Sequence, residues 1–394
     1  SKILRGNMLK SITFIFLVFC NFAFAQDNSD KTVLIAGASG LVGNAALEQF
    51  LDQGWNVITV SRRKPKVSSH RSFKHISVDL LDTKKCEEVF GALRNVEYVV
   101  FAALAEKPDA LLEGWYDPNQ MEINRKMLVN LMGPLTEASK IKHVSILQGT
   151  KAYGVHLPGY KVAIPARESQ PRVEHDNFYW LQEDYLVQMS RDFGFTYTIL
   201  RPPGMFGSSY GTAMSLVPVI GAYGAICHEL GEPFSFPGGA SSVIQLLDVR
   251  LLAKVLVWAA TEPNAANKTF NVINGDVSEW RNLWPAIAKT LGLKVGEDKP
   301  RELKVFMPAH ADVWDRIVKK YNLQKISMKE LLGESHHFAD IMFGYGRISS
   351  GYPNFVTNYE LRKAGFNDFV DTETALCESI QKLIDLKILP SIRE

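Results

Sequence analysis

The run Thr32-Val33-Leu34-Ile35-Ala36 is apolar and stops abruptly at Gly37. Three glycines, Gly37, Gly40 and Gly43, then follow at three-residue spacing in Gly37-Ala38-Ser39-Gly40-Leu41-Val42-Gly43. An apolar run of this length, cut off by a turn residue, reads as a strand buried on both faces. The residues from Leu41 to Leu51 carry helical spacing, and Gly54 closes them. A glycine turn between a first strand and its helix does one thing well. It lets bare backbone amides approach a pyrophosphate, and the helix N-terminus adds partial positive charge. A lone triplet is weak; in this context it predicts dinucleotide binding by Gly37, Ser39, Gly40, Leu41, Val42 and Gly43.

The rhythm continues. Strands are expected at Trp55 to Val60, Ser72 to Val78, Val96 to Leu104, His143 to Leu147 and Phe195 to Leu200. Helices are expected at Asp82 to Leu93, Asn124 to Ala138 and Phe178 to Arg191. Such alternation predicts an α/β chain: a Rossmann-type doubly wound parallel sheet with a smaller, mostly helical C-terminal substrate-binding part. The nucleotide domain is placed at residues 30–207, with the chain returning to it at 243–275. Residues 208–242 and 276–394 are assigned to a substrate-binding cap, with Trp280, Trp284 and Trp314 as core candidates. Residues 1–25 read as a signal peptide or N-terminal extension: Met8-Leu9-Lys10, an apolar stretch from Ile12 to Phe22, then Ala23-Phe24-Ala25. That segment points to export, whereas the dinucleotide that the glycine turn suits, if reduced, is a cytosolic reagent and points to the cytoplasm, so location stays open.

The charge balance, 44 basic against 42 acidic residues, gives no stripe for nucleic acid. The four cysteines form no Cys-x-x-Cys pair, and His310, His336 and His337 lack metal-ligand spacing, so no metal is expected.

The end of the second strand selects between dinucleotides. A carboxylate there accepts from the ribose 2′-hydroxyl of NAD. This chain has Val60-Ser61-Arg62-Arg63-Lys64, three cations and no acid. Ser61, Arg62 and Arg63 suit a 2′-phosphate, hence NADPH, against the plainer reading of a solvated basic loop. Asp79, with Leu80, ends the third strand. It either accepts from the adenine amino group or caps the following segment.

The reacting pair is harder to find. Short-chain dehydrogenases set Tyr-x-x-x-Lys on one helix turn. That spacing occurs at Tyr321-Lys325 and Tyr359-Lys363, far from the nucleotide strands. A second arrangement lies at the strand ends, which face the cofactor crevice in such sheets. Gln148-Gly149-Thr150-Lys151 follows the fifth strand, and Asn177-Phe178-Tyr179 opens the next helix. Four residues after Tyr179 stands Glu183, and Lys151 is available from the neighbouring strand end.

With Gly149-Thr150-Lys151, Asn177-Phe178-Tyr179, Glu183-Asp184, Arg201-Pro202, Phe206-Gly207 and Phe338-Ala339-Asp340, the chain resembles the progesterone 5β-reductase and iridoid synthase-like enone reductases, from Val33 to about Phe366. The resemblance implies NADPH-dependent reduction of activated C=C bonds in a small hydrophobic carbonyl compound, with Tyr179 and Lys151 as the reacting pair. Ala102, Gln148, Gly149, Pro202, Pro203 and Met205 are then expected along the cofactor, and Tyr153 and Phe343 in the substrate pocket. The chain departs at Pro203-Gly204-Met205, at Trp180 in place of a second tyrosine, and at Ala102-Ala103-Leu104-Ala105, which lacks the family's common Trp. A sugar-nucleotide epimerase or dehydratase, and a non-catalytic NADP-binding sensor or assembly factor, remain alternatives. A homodimer is allowed by the sequence without being specified.

Overall fold

The computed structural model describes residues 27–107 and 110–392. The expected leader, 1–25, lies outside the described residues. In chain order the elements are β1 (Thr32–Ala36), α1 (Leu41–Asp52), β2 (Asn56–Ser61), β3 (Lys74–Ser77), α2 (Thr83–Phe90), β4 (Tyr98–Phe101), α3 (Pro118–Ala138), β5 (His143–Leu147), α4 (Phe178–Phe193) and β6 (Thr196–Arg201). They continue with β7 (Gly204–Phe206), α5 (Leu216–Glu229), β8 (Leu246–Asp248), α6 (Val249–Thr261), β9 (Lys268–Asn271) and α7 (Trp280–Leu291), before a run of helices ending at Asp385.

Among the described residues, seven strands form one sheet in the order β3-β2-β1-β4-β5-β6-β9, every neighbouring pair parallel. Period-2 geometry explains why β1 has to be apolar throughout. Val33 and Ile35 join the core beneath α1 and α6, while Leu34 and Ala36 join the opposite core beneath α2 and α3. The strand order reverses between β1 and β4, which is where sheets of this type open a crevice for a ligand. The glycine turn sits at that reversal.

Several boundaries differ from the sequence expectation, and two of them bear on the site. β4 stops at Phe101, so Ala102 to Leu104 leave the sheet as a connection. α3 begins at Pro118, six residues before Asn124, because Asp117 accepts from the Asn119 N–H at 2.9 Å and proline suits the first helical position. The earlier start adds Gln120 to the helix and moves Asn124 from its first residue to its interior, and both are buried.

The C-terminal part has its own core. α5 is buried along its whole length from Leu216 to Cys227 and packs with α7 and the later helices. Trp280, Trp284 and Trp314 are buried there, and each indole N–H is satisfied: to Met342 O at 3.0 Å, Phe234 O at 3.1 Å and Ile326 O at 2.9 Å. Asp340, from the Phe338-Ala339-Asp340 motif, accepts from the N–H groups of Leu303 and Lys304 at 2.7 and 2.9 Å and so fixes the start of the helix Leu303–Ala309.

Candidate functional site

Gly37 has φ of 78°, a left-handed conformation that glycine adopts without penalty. A Cβ there would stand 2.6 Å from the Ala102 backbone, and one on Gly43 would stand 2.1 Å from Gly37 O. The turn therefore tolerates only bare backbone and presses directly against Ala102. Gly40 caps α1 without a side-chain hydrogen bond, and no acid occupies the first turn of that helix. The first-turn N–H groups around Leu41 and Val42 thus keep their capacity for an anion. These features fit a dinucleotide pyrophosphate.

At the end of β2, Arg62 and Arg63 are exposed, and no acid pairs with either guanidinium among the described residues. Their backbone is pinned: Ser61 Oγ donates to Arg63 O at 2.6 Å and Ser77 Oγ to Arg62 O at 2.9 Å. Asp79 turns one carboxylate oxygen onto the Leu81 N–H at 2.9 Å, so that oxygen serves a local turn, while Asp82 caps α2. Leu80 O is held by Asn130 Nδ2 at 2.7 Å.

The far end of the crevice is made of side chains. Gly149 is extended, and a Cβ on it would lie 3.0 Å from Tyr179 Oη and 3.4 Å from Pro202 O. The missing side chain lets the phenol reach the carboxyl ends of β5 and β6. Tyr179 stands in the first turn of α4, where Asn177 Oδ1 accepts from its N–H at 3.0 Å. Asn177 Nδ2 also donates to Lys151 O at 3.5 Å, a long bond that links the two halves of the pair.

Lys151 projects from a short 3-10 turn, Thr150–Tyr153, with its Nζ 3.9 Å from the centre of the Trp115 ring. Trp115 packs edge-on to Tyr179 at 5.2 Å. Burial pushes the Tyr179 phenol well above its ordinary range; the Glu106 carboxylate pushes the same way and Arg201 opposes. Burial depresses the Lys151 ammonium, against the pull of Glu106. Glu106 is itself raised by burial and lowered by Lys151. Burial thus favours the neutral, hydrogen-bond-donating form of the phenol, and Trp115 packs between it and Lys151.

Glu183 fills the place where a one-helix pair carries its lysine. It accepts from Gln148 Nε2 at 2.8 Å and lies 3.5 Å from Arg172. Gln148 Oε1 in turn accepts from Arg201 Nε at 2.8 Å. The position has become part of a polar brace between β5, β6 and α4.

Tyr153 is buried. It donates to Asn271 Oδ1 at 2.6 Å and lies under the Arg201 guanidinium at 5.0 Å. Met205 sits on β7; its neighbour Gly204 has no room for a Cβ, which would meet Met342 Cε at 2.5 Å. Pro203 precedes that strand. Phe343 stands apart from this group. It is 3% exposed and edge-on to Trp280 at 4.8 Å and Phe236 at 5.5 Å, so its ring packs the C-terminal core.

Glu106 and Trp115 were not among the sequence candidates. Both lie on the β4–α3 connection, where no periodicity singles them out. His156 was also missed: burial, then His175 and Lys151, depress it to about 4.

Comparison with known proteins places the chain in a family. The chain is 29% identical to the (S)-8-oxocitronellyl enol synthase of Nepeta racemosa over 384 residues, covering 93% of this chain and 95% of that protein. It is 28% identical to the 3-oxo-Delta(4,5)-steroid 5-beta-reductase of Arabidopsis thaliana, covering 92% and 94%. These are the relatives that the motif resemblance anticipates. Among solved structures, the UDP-glucose 4-epimerase of Thermotoga maritima with UDP-glucose matches with a TM-score of 0.62 at 17% identity, covering 90% of this chain and 99% of that one. The Bordetella bronchiseptica enzyme WbmH in complex with NAD+ matches with a TM-score of 0.60 at 16% identity, covering 90% and 97%. Both show the fold alone. The model of the NAD dependent epimerase/dehydratase family matches residues 33–272, more than half of the chain. With its glycine turn at the sheet reversal and its strand ends gathered on one crevice, the chain belongs to the NAD dependent epimerase/dehydratase family.

Proposed function

We propose that the protein is an NADPH-dependent oxidoreductase that reduces activated C=C bonds of enones or enals. The observation that carries this reading is the packing of Tyr179 Oη against the bare face of Gly149, two residues before a lysine that comes from the β5 end and not from α4 and that shares Trp115 with Tyr179. Relatives over nearly the whole length are an enol synthase and a steroid 5-beta-reductase, which supports carbonyl-conjugated substrates. The unpaired Arg62 and Arg63 support NADPH over NADH.

Bound NADPH would supply hydride for the β-carbon of the substrate, and a proton from water would complete the reduction at the α-carbon. Tyr179 donates a hydrogen bond to the carbonyl oxygen as negative charge builds there. One such donor is worth about 3–4 kcal/mol in the transition state. Lys151 adds positive charge behind the phenol. The Glu183 brace holds Gln148 and hence the β5 end, and Gly149 keeps the approach to Tyr179 clear.

The test is to follow NADPH oxidation with a series of small, unsaturated ketones and aldehydes, with UDP-sugars and NADH as parallel arms. Enone-dependent oxidation, with NADPH preferred, is the expected result. Binding without oxidation identifies a sensor, and turnover of a UDP-sugar identifies an epimerase or dehydratase; either outcome removes the reductase reading.

A further inference from the structure

The unusual source of the lysine raises a question that Tyr179 alone does not answer: what keeps Lys151 charged. Among the described residues no carboxylate lies within ion-pair distance of its Nζ, and no hydrogen bond engages it. An ammonium drawn out of water needs compensation. Two groups supply it, and both come from the β4–α3 connection.

The first is the Trp115 face, 3.9 Å from Nζ, on a residue that is 4% exposed. A desolvated cation over an indole is a favourable arrangement. The second is the Glu106 carboxylate, the acid whose charge acts on Lys151. Its backbone is clamped on both sides. Asn124 Oδ1 accepts from Ala105 N at 2.9 Å, while Asn124 Nδ2 donates to Ala105 O at 2.8 Å. Gln120 Oε1 accepts from Lys107 N at 3.2 Å. Asn124 is fully buried, and its own carbonyl accepts from Gln182 Nε2 on α4 at 2.9 Å. One asparagine therefore ties the Glu106 segment to the helix that carries Tyr179.

Two buried donors on this connection and the helix beneath it have no acceptor: Trp115 Nε1, and Gln120 Nε2 on the side chain that holds residue 107. The indole N–H lies close enough to Glu106 to favour its anion without closing a hydrogen bond. Open donors in a buried site call for an anionic acceptor. The other charges facing the group are cationic or neutral: His156, with His175 beside it, faces Lys151, and Arg201 faces Tyr179.

We infer that Glu106 and Trp115 are positioning residues that hold Lys151 as a charged ammonium beside Tyr179. The inference deepens the reductase reading, but its central test needs no turnover. The pH dependence of Lys151 acylation by an amine-reactive anhydride is read by peptide mass spectrometry in the wild type and in Glu106→Gln, Glu106→Asp and Trp115→Leu. Only the neutral amine reacts. Removing an adjacent opposite charge lowers an ammonium pKa by about one unit or more, so E106Q should label at correspondingly lower pH. E106D keeps the charge and should label close to wild type, and W115L should move in the direction of E106Q. The alkaline limb of kcat/KM should follow the same order. Circular dichroism checks each fold, and where E106Q does not hold its fold, W115L carries the readout. A Lys151 titration that does not move in the folded variant overturns the inference. A titration that moves as expected in a protein that reduces no enone supports it and sinks the reductase reading alone.

Discussion

The two ends of the crevice are built in opposite ways. At the β1–β2 end the working groups are backbone amides and solvent-exposed cations, and they come from short neighbouring stretches of sequence, 37–43 and 61–63. At the β5–β6 end they are partly or fully buried side chains from four separated segments, near residues 106–115, 149–151, 177–179 and 202. The difference matches the two tasks that the proposed function sets for these ends. Holding a solvated anion needs donors and positive charge at modest precision. Stabilising charge that develops in a transition state needs donors fixed in advance and shielded from water.

Separate substitutions should therefore separate binding from chemistry. Tyr179→Phe removes one donor from the buried end. It is expected to lower kcat by about 10²–10³-fold. NADPH affinity, measured by fluorescence titration, should stay at the wild-type value. A Tyr179→Phe protein with full turnover would show that the buried end is not the reacting end. Replacing Arg62 and Arg63 together with alanine acts on the exposed end. Losing hydrogen bonds to a charged phosphate should raise the NADPH Kd by roughly 10–100-fold, with kcat at saturation and NADH affinity unchanged. The effect should shrink with added salt, since these cations are solvated; an equal loss for NADH would refute the 2′-phosphate assignment.

The smallest effect concerns the opposite end of β5. His143 hydrogen-bonds the hydroxyls of Thr196 and Thr198 at 2.7 and 3.0 Å, and burial lowers its pKa from 6.5 to about 4. The folded protein thus binds fewer protons there than the unfolded chain between those values. Its stabilising contribution is complete above pH 6.5 and is lost as pH falls towards 4. In His143→Gln the drop in Tm between pH 7 and pH 5 should shrink by roughly 2–4 °C. A drop of unchanged size would place the acid sensitivity elsewhere.

The same contrast decides what was legible in the sequence. Gly37, Gly40 and Gly43 announce themselves because strand, turn and helix are consecutive, and β1 has to be apolar on both faces. Lys151 and Tyr179 could be named from the sequence as well, since each opens a segment at a strand end or a helix start. Glu106 and Trp115 could not. Their partners are distant in sequence, and only the early start of α3 at Pro118 brings Gln120 and Asn124 under the connection that carries them. The signal for that start is Asp117-Pro118, a capping acid followed by a proline suited to the first helical position. Phe343 shows the converse. An aromatic in a C-terminal helical region fits a pocket or a core equally well by composition, and only the structure shows it packed edge-on against Trp280.

Where tyrosine and lysine share one helix turn, their separation is set by the helix itself and varies little. Here the phenol rides on α4 and the ammonium on the end of β5, joined through Asn177 and braced by Gln148 and Glu183. Their spacing is a tertiary quantity. It can be retuned by any change that shifts a strand against a helix, including substitutions in the core beneath Leu186 or Ile146, far from the reacting atoms. A chain wired this way lets remote packing act as a vernier on reactivity while every reacting residue stays the same.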